Sequence, residues 1–384
     1  MLRDGEWLVP HINGEVNTHK PPLFFWLIAL FSLPYGQIYS LTARLPSALA
    51  AVGTVALTVR LGRRFWGGRT ALLSGLVLAV TYLFWDKSRS AQIDATLCFF
   101  IMVALTAFEA WRAGDWEGRR AGMLFWLAAA LGTLAKGPVA FLLPLGIALL
   151  TLAWDRRLSA WRRFAPLSGP LVFLAVVGAW MAAATIFRGD VYSVWGALRE
   201  HFLDRAIHGL HHPQPWWYYA KVLPVQLLPW SALVPGALWL AWKERGDSQR
   251  FLLVWAVFVV IFFSVSTEKR DLYVLPAYPA FALLAGRLIG RVAGWGKPAR
   301  EGTGAGPGSR WITLPQGLMA GLMALAGAAM IVLARTQYPE YAGPGTVVGA
   351  LMLIGSIILL ITCLRGRALR AVGVTIVTMA VVYL

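Results

Sequence analysis

Apolar and aromatic residues in this chain run in long unbroken blocks separated by short polar segments. Blocks at about 42–59, 70–85, 95–111, 121–135, 138–154, 165–187, 216–242, 251–266, 272–290, 313–335, 345–364 and 371–384 predict twelve spanning helices. The blocks are continuous rather than alternating, which argues against a transmembrane β-barrel. A further run, Leu23 to Leu33, is about half the ~20 residues a span needs, and Pro34-Tyr35-Gly36-Gln37 interrupts it. It predicts a helix lying along the interface. The expected fold is all-α: a polytopic integral membrane protein of about 12 transmembrane helices plus a juxtamembrane interfacial helix. Four regions follow. They are an external loop with its juxtamembrane helix (1–41), a transmembrane core (42–292), a Gly/Pro-rich cytoplasmic linker (293–312) and C-terminal transmembrane helices (313–384).

Composition agrees with the pattern. Charged residues make up 14% of the chain, against about 25% in soluble domains. A net charge of +17 would by itself suggest nucleic acid, but its distribution points elsewhere. Alternate connecting segments are basic, from Arg60/Arg63/Arg64/Arg69 and Arg112/Arg119/Arg120 through to Arg365/Arg367/Arg370, and they hold 22 of the 35 Lys and Arg. The positive-inside rule places them in the cytoplasm, where they meet anionic membrane lipids. No nucleic-acid partner is expected. Cys98 and Cys363 both lie inside apolar blocks and read as small core residues.

The opposite segments, 1–21, 86–94, 135–138, 188–221, 267–272 and 335–344, carry all six histidines. Ionisable groups that interrupt or abut spans are costly and usually functional. Lys20, in His19-Lys20-Pro21-Pro22-Leu23, is a fixed cation at the membrane edge, suited to an anionic lipid headgroup. Asp94 opens an apolar helix, where the helix dipole alone would stabilise it. Lys136-Gly137-Pro138 lies between two apolar helices with almost no loop, so its lysine either snorkels or binds an anion. His201 and Arg205 are four apart and share a helical face. Lys269 and Tyr273 have the same spacing and, with neighbouring aromatics, could form a phosphate clamp; the plainer reading of Lys269 and Asp271 is a solvated turn. The run His208-Gly-Leu-His211-His212 lacks an acidic or cysteine partner at fixed spacing. No metal site is assigned, and a divalent metal stays open as a cofactor. There is no Walker loop, GxGxxG or zincin motif.

These motifs together resemble the GT-C glycosyltransferases, with the closest likeness to the aminoarabinose transferase / protein mannosyltransferase superfamily. The resemblance rests on Met1-Leu-Arg-Asp-Gly-Glu-Trp-Leu-Val-Pro-His-Ile-Asn-Gly14 followed by His19-Lys-Pro-Pro-Leu23. It extends to Asp94, Lys136-Gly-Pro, Glu200-His201 with Arg205, Gln214-Pro-Trp-Trp-Tyr218, Pro229-Trp-Ser231, and the Ser264…Lys269…Tyr273…Pro276 run. They occur in the family's order over about residues 1–290. The resemblance implies a polyprenyl-phosphate (undecaprenyl-phosphate) sugar donor. It also implies an envelope acceptor, a lipid A-like glycolipid or a protein, on the outer face of the membrane, with inversion. A carboxylate would act as base, and cations would neutralise the departing lipid phosphate. Lys20, Arg205 and Tyr273 match the phosphate contacts, with Lys269 and Lys136 as additional substrate-binding candidates. Asp94 matches an acidic position that orients substrate or a basic partner, and His201 would bond the headgroup or acceptor. Two departures stand out: His19 occupies a place where the aminoarabinose branch often has glutamate, and the His201-to-Arg205 spacing is longer than in some relatives.

Family members begin with a spanning helix and an Asp-Glu pair ahead of the motif loop, and that aspartate is the expected base. Here Met1 falls within the motif. An external N-terminus with no span before it is then expected, and because the expected base would lie upstream of Met1, this polypeptide is expected to be inactive in transfer. The rival readings are a non-catalytic polyprenyl-phosphate binder and, less favoured, a lipid or solute transporter. In-frame DNA upstream of Met1 is expected to encode an apolar span followed by Asp-Glu; a stop codon with no such span would remove the start-site explanation.

Overall fold

A computed structural model of the chain describes residues 1–2, 5–12, 15–16, 20–164, 167–189, 213–295 and 308–383. The external loop contains one two-residue antiparallel ladder, β1 (His11–Ile12) with β2 (Glu15–Val16). Everything else described is helix or short connection. The helices are α1 (Leu23–Ser32), α2 (Ser40–Trp66), α3 (Gly68–Ala79), α4 (Tyr82–Ser88), α5 (Ile93–Arg112), α6 (Gly118–Lys136), α7 (Val139–Trp154), α8 (Trp161–Phe164) and α9 (Ser168–Arg188). After these come α10 (Tyr218–Gln226), α11 (Val234–Glu244), α12 (Asp247–Val265), α13 (Tyr278–Val292), α14 (Arg310–Thr336), α15 (Ala342–Leu364) and α16 (Ala368–Tyr383).

Each of the twelve predicted blocks falls on helix. Among the described residues, seven helices are long and apolar enough to cross a membrane, or nine if each of two bent pairs counts as one span. Leu23–Tyr35, Val139–Trp154 and Ala368–Tyr383 are shorter apolar helices. The 23–35 helix stops where expected: Pro34 lies in its last 3-10 turn, and Gly36 takes a left-handed φ of +64° that ends it. The predicted linker falls mostly on 296–307, outside the described residues.

Two blocks that read as single spans are broken. The 216–242 block splits between Gln226 and Ser231, where Pro229 lacks the N–H that would continue the ladder. The 70–85 block splits at Val80–Thr81 without a proline. Each break supplies what the other lacks. The Tyr82 N–H donates to the Leu228 carbonyl (2.9 Å) and the Trp230 indole donates to the Val77 carbonyl (2.9 Å). Backbone groups freed at membrane depth must be satisfied inside the protein, and here two interruptions satisfy one another.

The helices form two compact units. The first comprises 1–58, 83–222 and 250–279. Its core holds a ring cluster of Phe108, Trp111, Phe125, Trp161, Phe164 and Phe251, with neighbouring centroids 4.8–6.1 Å apart. At that end Arg112 pairs with Glu109 (2.7 Å) and Asp155 (2.9 Å), and Arg250 with Asp155 (3.0 Å). The second unit comprises 59–82, 223–249 and 280–384. There α14 and α15 cross so closely that a Cβ on Gly327 would lie 2.7 Å from the Gly349 carbonyl oxygen. Only a residue without a side chain permits this approach.

The second unit also buries Glu244, whose carboxylate holds Arg287 (3.1 and 3.2 Å), Arg291 (3.2 Å) and the Gln249 amide (2.6 Å). The Glu244 and Arg287 side chains are only 5% and 6% exposed. Glu244→Gln leaves two guanidinium groups without their counter-charge and should cost about 3–5 kcal/mol. Thermal unfolding in detergent measures this, and a midpoint equal to wild type would show that the carboxylate does not hold this corner.

Candidate functional site

Three side chains from three elements of the first unit meet at the end of the helices opposite the basic loops. Asp94 lies in the first turn of α5, after an extended Gln92. Ser47 of α2 fixes that entry: its hydroxyl donates to the Gln92 carbonyl (2.9 Å) and accepts the Gln92 N–H (3.1 Å). Lys136 is the last residue of α6, and Gly137 follows with φ +107°, a conformation that glycine adopts without strain. The chain then enters α7 at once through Pro138. The Lys136 ammonium donates to Asp94 Oδ1, and the two side chains are only 13% and 6% exposed. Helix dipoles favour both charges, since the carboxylate sits at an N-terminus and the cation at a C-terminus.

Tyr273 completes the cluster. Lys136 Nζ lies 4.6 Å from the centroid of its ring, a cation–π contact. Tyr273 belongs to the 3-10 stretch Asp271–Ala277, which is pinned from several sides. The Trp255 indole donates to the Pro276 carbonyl (2.8 Å), the Tyr219 hydroxyl donates to the Arg270 carbonyl (3.0 Å), and the Cys98 thiol approaches the Leu275 carbonyl (3.8 Å). The Phe263 ring packs 5.4 Å from that of Tyr273. The result is a buried lysine held at rest by one carboxylate and one aromatic face, an arrangement able to present positive charge to an anion.

The external loop is anchored by indoles. The Trp26 indole donates to the Trp7 carbonyl (2.6 Å), the Trp180 indole donates to the Leu8 carbonyl (3.0 Å), and Arg188 pairs with Glu6 (2.9 Å). Val9 is fully buried against Ala184. Lys20 is half-buried, two residues before the start cap of α1. Leu23, three residues after Lys20, packs in the same cluster as Leu134, two residues before Lys136.

The dolichyl-phosphate-mannose-protein mannosyltransferase family model matches residues 19–182. An undecaprenyl phosphate-alpha-4-amino-4-deoxy-L-arabinose arabinosyl transferase of Pseudomonas aeruginosa (strain LESB58) is 34% identical over 349 residues, which is 88% of this chain and 60% of the relative. The corresponding transferase of Aeromonas salmonicida (strain A449) is 31% identical over 74% of this chain and 52% of its own length. The crystal structure of ArnT from Cupriavidus metallidurans bound to undecaprenyl phosphate matches with a TM-score of 0.84 at 23% identity, covering all of this chain and 69% of that one. The chain belongs to the GT-C fold aminoarabinose transferase family. It spans about three fifths of the length of the Pseudomonas relative.

Apart from Lys20, placed above beside α1, the predicted site residues of this GT-C chain fall into three groups. Asp94, Lys136 and Tyr273 come together. The alternatives of snorkelling or anion binding for Lys136 omitted its resting partner, Asp94, 42 positions earlier. Lys269 does not share a helical face with Tyr273, because it precedes the 3-10 stretch and i, i+4 geometry does not apply. Its ammonium donates instead to the carbonyls of Gln214 (2.9 Å) and Ser266, and burial pulls its pKa down. It ties Gln214 to the 266–269 turn, which also carries the Pro213–Glu268 bridge. His201 and Arg205, with the histidine-rich run, lie outside the described residues. Among the described residues no group of three His, Cys, Asp or Glu converges to hold a metal. The Ser47–Gln92 clamp and the indole anchors were missed. A tryptophan near the membrane edge signals only that its N–H needs an acceptor.

A double-mutant cycle tests the central pair. Asp94→Asn should cost about 3–5 kcal/mol because it leaves the ammonium buried without a counter-charge. Combined with Lys136→Met it should cost less than the sum of the single changes, with a coupling of about 0.5–3 kcal/mol. Additive losses in thermal unfolding would mean that the two side chains do not interact.

Proposed function

We propose that this chain is a membrane glycosyltransferase that takes a sugar from a polyprenyl-phosphate donor and passes it, with inversion, to a glycolipid or protein acceptor at the outer face of the membrane. The observation that carries this reading is the buried Lys136 held between Asp94 and Tyr273 at the end of the helices away from the basic loops. The family membership supports it, as does the likeness in fold to a structure that holds undecaprenyl phosphate.

The chemistry follows from the charges. As the bond between the sugar's anomeric carbon and the phosphate oxygen breaks, negative charge builds on the departing lipid phosphate. Fixed cations and donors aimed at that oxygen lower the barrier most when they need no reorganisation. Lys136 is fixed by Asp94, and Lys20 and Arg205 are the further cations of the clamp. Tyr273 holds Lys136 through its ring. Asp94 acts as the residue that positions Lys136. The acceptor hydroxyl loses its proton to a carboxylate as its oxygen attacks from the opposite side of the sugar; no described residue is assigned that role.

Binding of undecaprenyl phosphate to the purified chain in nanodiscs tests the reading. Lys20→Ala should weaken binding roughly tenfold or more, the worth of one charge-assisted contact. Tyr273→Phe, which keeps the ring beneath Lys136, should weaken it only a few-fold. Unchanged affinity in both variants would sink the phosphate-clamp assignment, and absence of binding by the unaltered chain would sink the donor class.

A further inference from the structure

A second basic site lies apart from the residues that the proposed transfer uses. A cleft of about 520 Å³ is lined by Ser40 and Arg44 from the first turns of α2, and by Trp85, Asp86, Arg89 and Ser90 from α4 and the segment after it. Its walls are fixed. Ser40 and Arg44 are i, i+4 neighbours on one face of α2, and Ser47 further along that helix holds Gln92 through two hydrogen bonds. The Arg89 guanidinium lies 4.6 Å from the centre of the Trp85 ring, and the Ser90 hydroxyl donates to the Asp86 carbonyl (2.9 Å).

The charge of the cleft is positive. Asp86 is its one carboxylate, and Lys87 pairs with it at 2.7 Å. Arg44 remains over that neutralised pair, and Arg89, stacked on Trp85, lines the same cleft. Arg44 is exposed and makes no hydrogen bond or ion pair with any described residue. A planar guanidinium offers donors in a fork that matches phosphate oxygens.

The flanking sequence indicates the source of that phosphate. Ser40, in the cleft wall, sits between Tyr39 and Leu41 of an exposed apolar run. Leu33, Tyr35, Ile38, Tyr39 and Leu41 are each 47–67% exposed, and the two tyrosine rings pack edge to face at 5.6 Å. A free anion would use only the arginines. A lipid would use both features, its phosphate in the cleft and its chains along the apolar run, and exposed tyrosines are at home at the headgroup level. We propose that the Arg44–Arg89 cleft binds the headgroup phosphate of an anionic phospholipid from the leaflet opposite the basic loops. This goes beyond the transfer reading, because neither arginine belongs to the Asp94–Lys136–Tyr273 cluster.

Native mass spectrometry of the purified chain titrated with phosphatidylglycerol or phosphatidylcholine tests it. Phosphatidylglycerol should bind about tenfold more tightly. Arg44→Gln with Arg89→Gln should bring its affinity down to that of phosphatidylcholine, while Arg44→Lys should retain part of the preference. If the double variant does not fold, Arg44→Gln alone decides, since Arg44 holds nothing else in place; it should still lose most of the preference. A preference unchanged in these variants would overturn the site. Inorganic phosphate should fail to displace the lipid at matched concentrations; equal competition would mean a site for a free anion and would overturn the lipid assignment.

Discussion

Inside a bilayer a polar group has no water to fall back on, and this chain is organised around that constraint. Buried hydroxyls close on their own helices: Thr54 on Ala50, Thr58 on Thr54, Thr133 on Ala129 and Thr151 on Ile147, each at 2.7–2.8 Å. Where a helix is interrupted, the freed groups need a partner from elsewhere in the protein. The breaks at Val80–Thr81 and near Leu228 are therefore one feature rather than two. The Leu228 carbonyl takes the Tyr82 N–H, and the Trp230 indole caps the Val77 carbonyl, with the Thr81 hydroxyl (2.7 Å) as its second donor. Irregular backbone is tolerated because each interruption answers the other.

The same constraint decides what could be read from sequence. Continuous apolar blocks are the direct imprint of helices that must hide their backbone, so each block was legible as helix, although among the described residues only seven to nine are long and apolar enough to span. The break in 216–242 was visible in principle, because Pro229 lacks the N–H that a helix needs there. The break in 70–85 was not, because its cause is a carbonyl and an indole some 150 positions later, a separation no local pattern encodes. The site divides along the same line. Asp94, Lys136 and Tyr273 each stood out as an ionisable or polar group beside an apolar run, where such groups are costly. Their pairing did not stand out, since it depends on how α5, α6 and the 271–277 stretch meet. Lys269 shows the converse error: the right spacing for a helical face, on a segment that is not a helix.

Charge is treated differently at the two ends of the helices. Near the basic loops, buried charges are paired within each unit. Glu244 is shared by two arginines and an amide, and Arg112 is held by two carboxylates. Such networks hold helix ends together. At the opposite end Lys136 has one carboxylate and an aromatic ring. The ring attracts the ammonium without neutralising it, so the lysine is stabilised in place while part of its field remains for an incoming anion.

That difference bears on how a departing phosphate could be stabilised. A lysine on a mobile loop would have to be ordered when charge develops, at a cost of up to about 2 kcal/mol in side-chain entropy. Lys136 has already met that cost, because its backbone ends a helix and its head is held from two sides. The residues that hold it are fixed in turn: Ser47 sets the start of α5 beneath Asp94, and Trp255 and Tyr219 set the stretch that carries Tyr273. Two shells of ordinary packing and hydrogen bonds thus stand behind one buried cation. Loosening the outer shell should therefore cost reactivity even where no residue that touches the donor is altered.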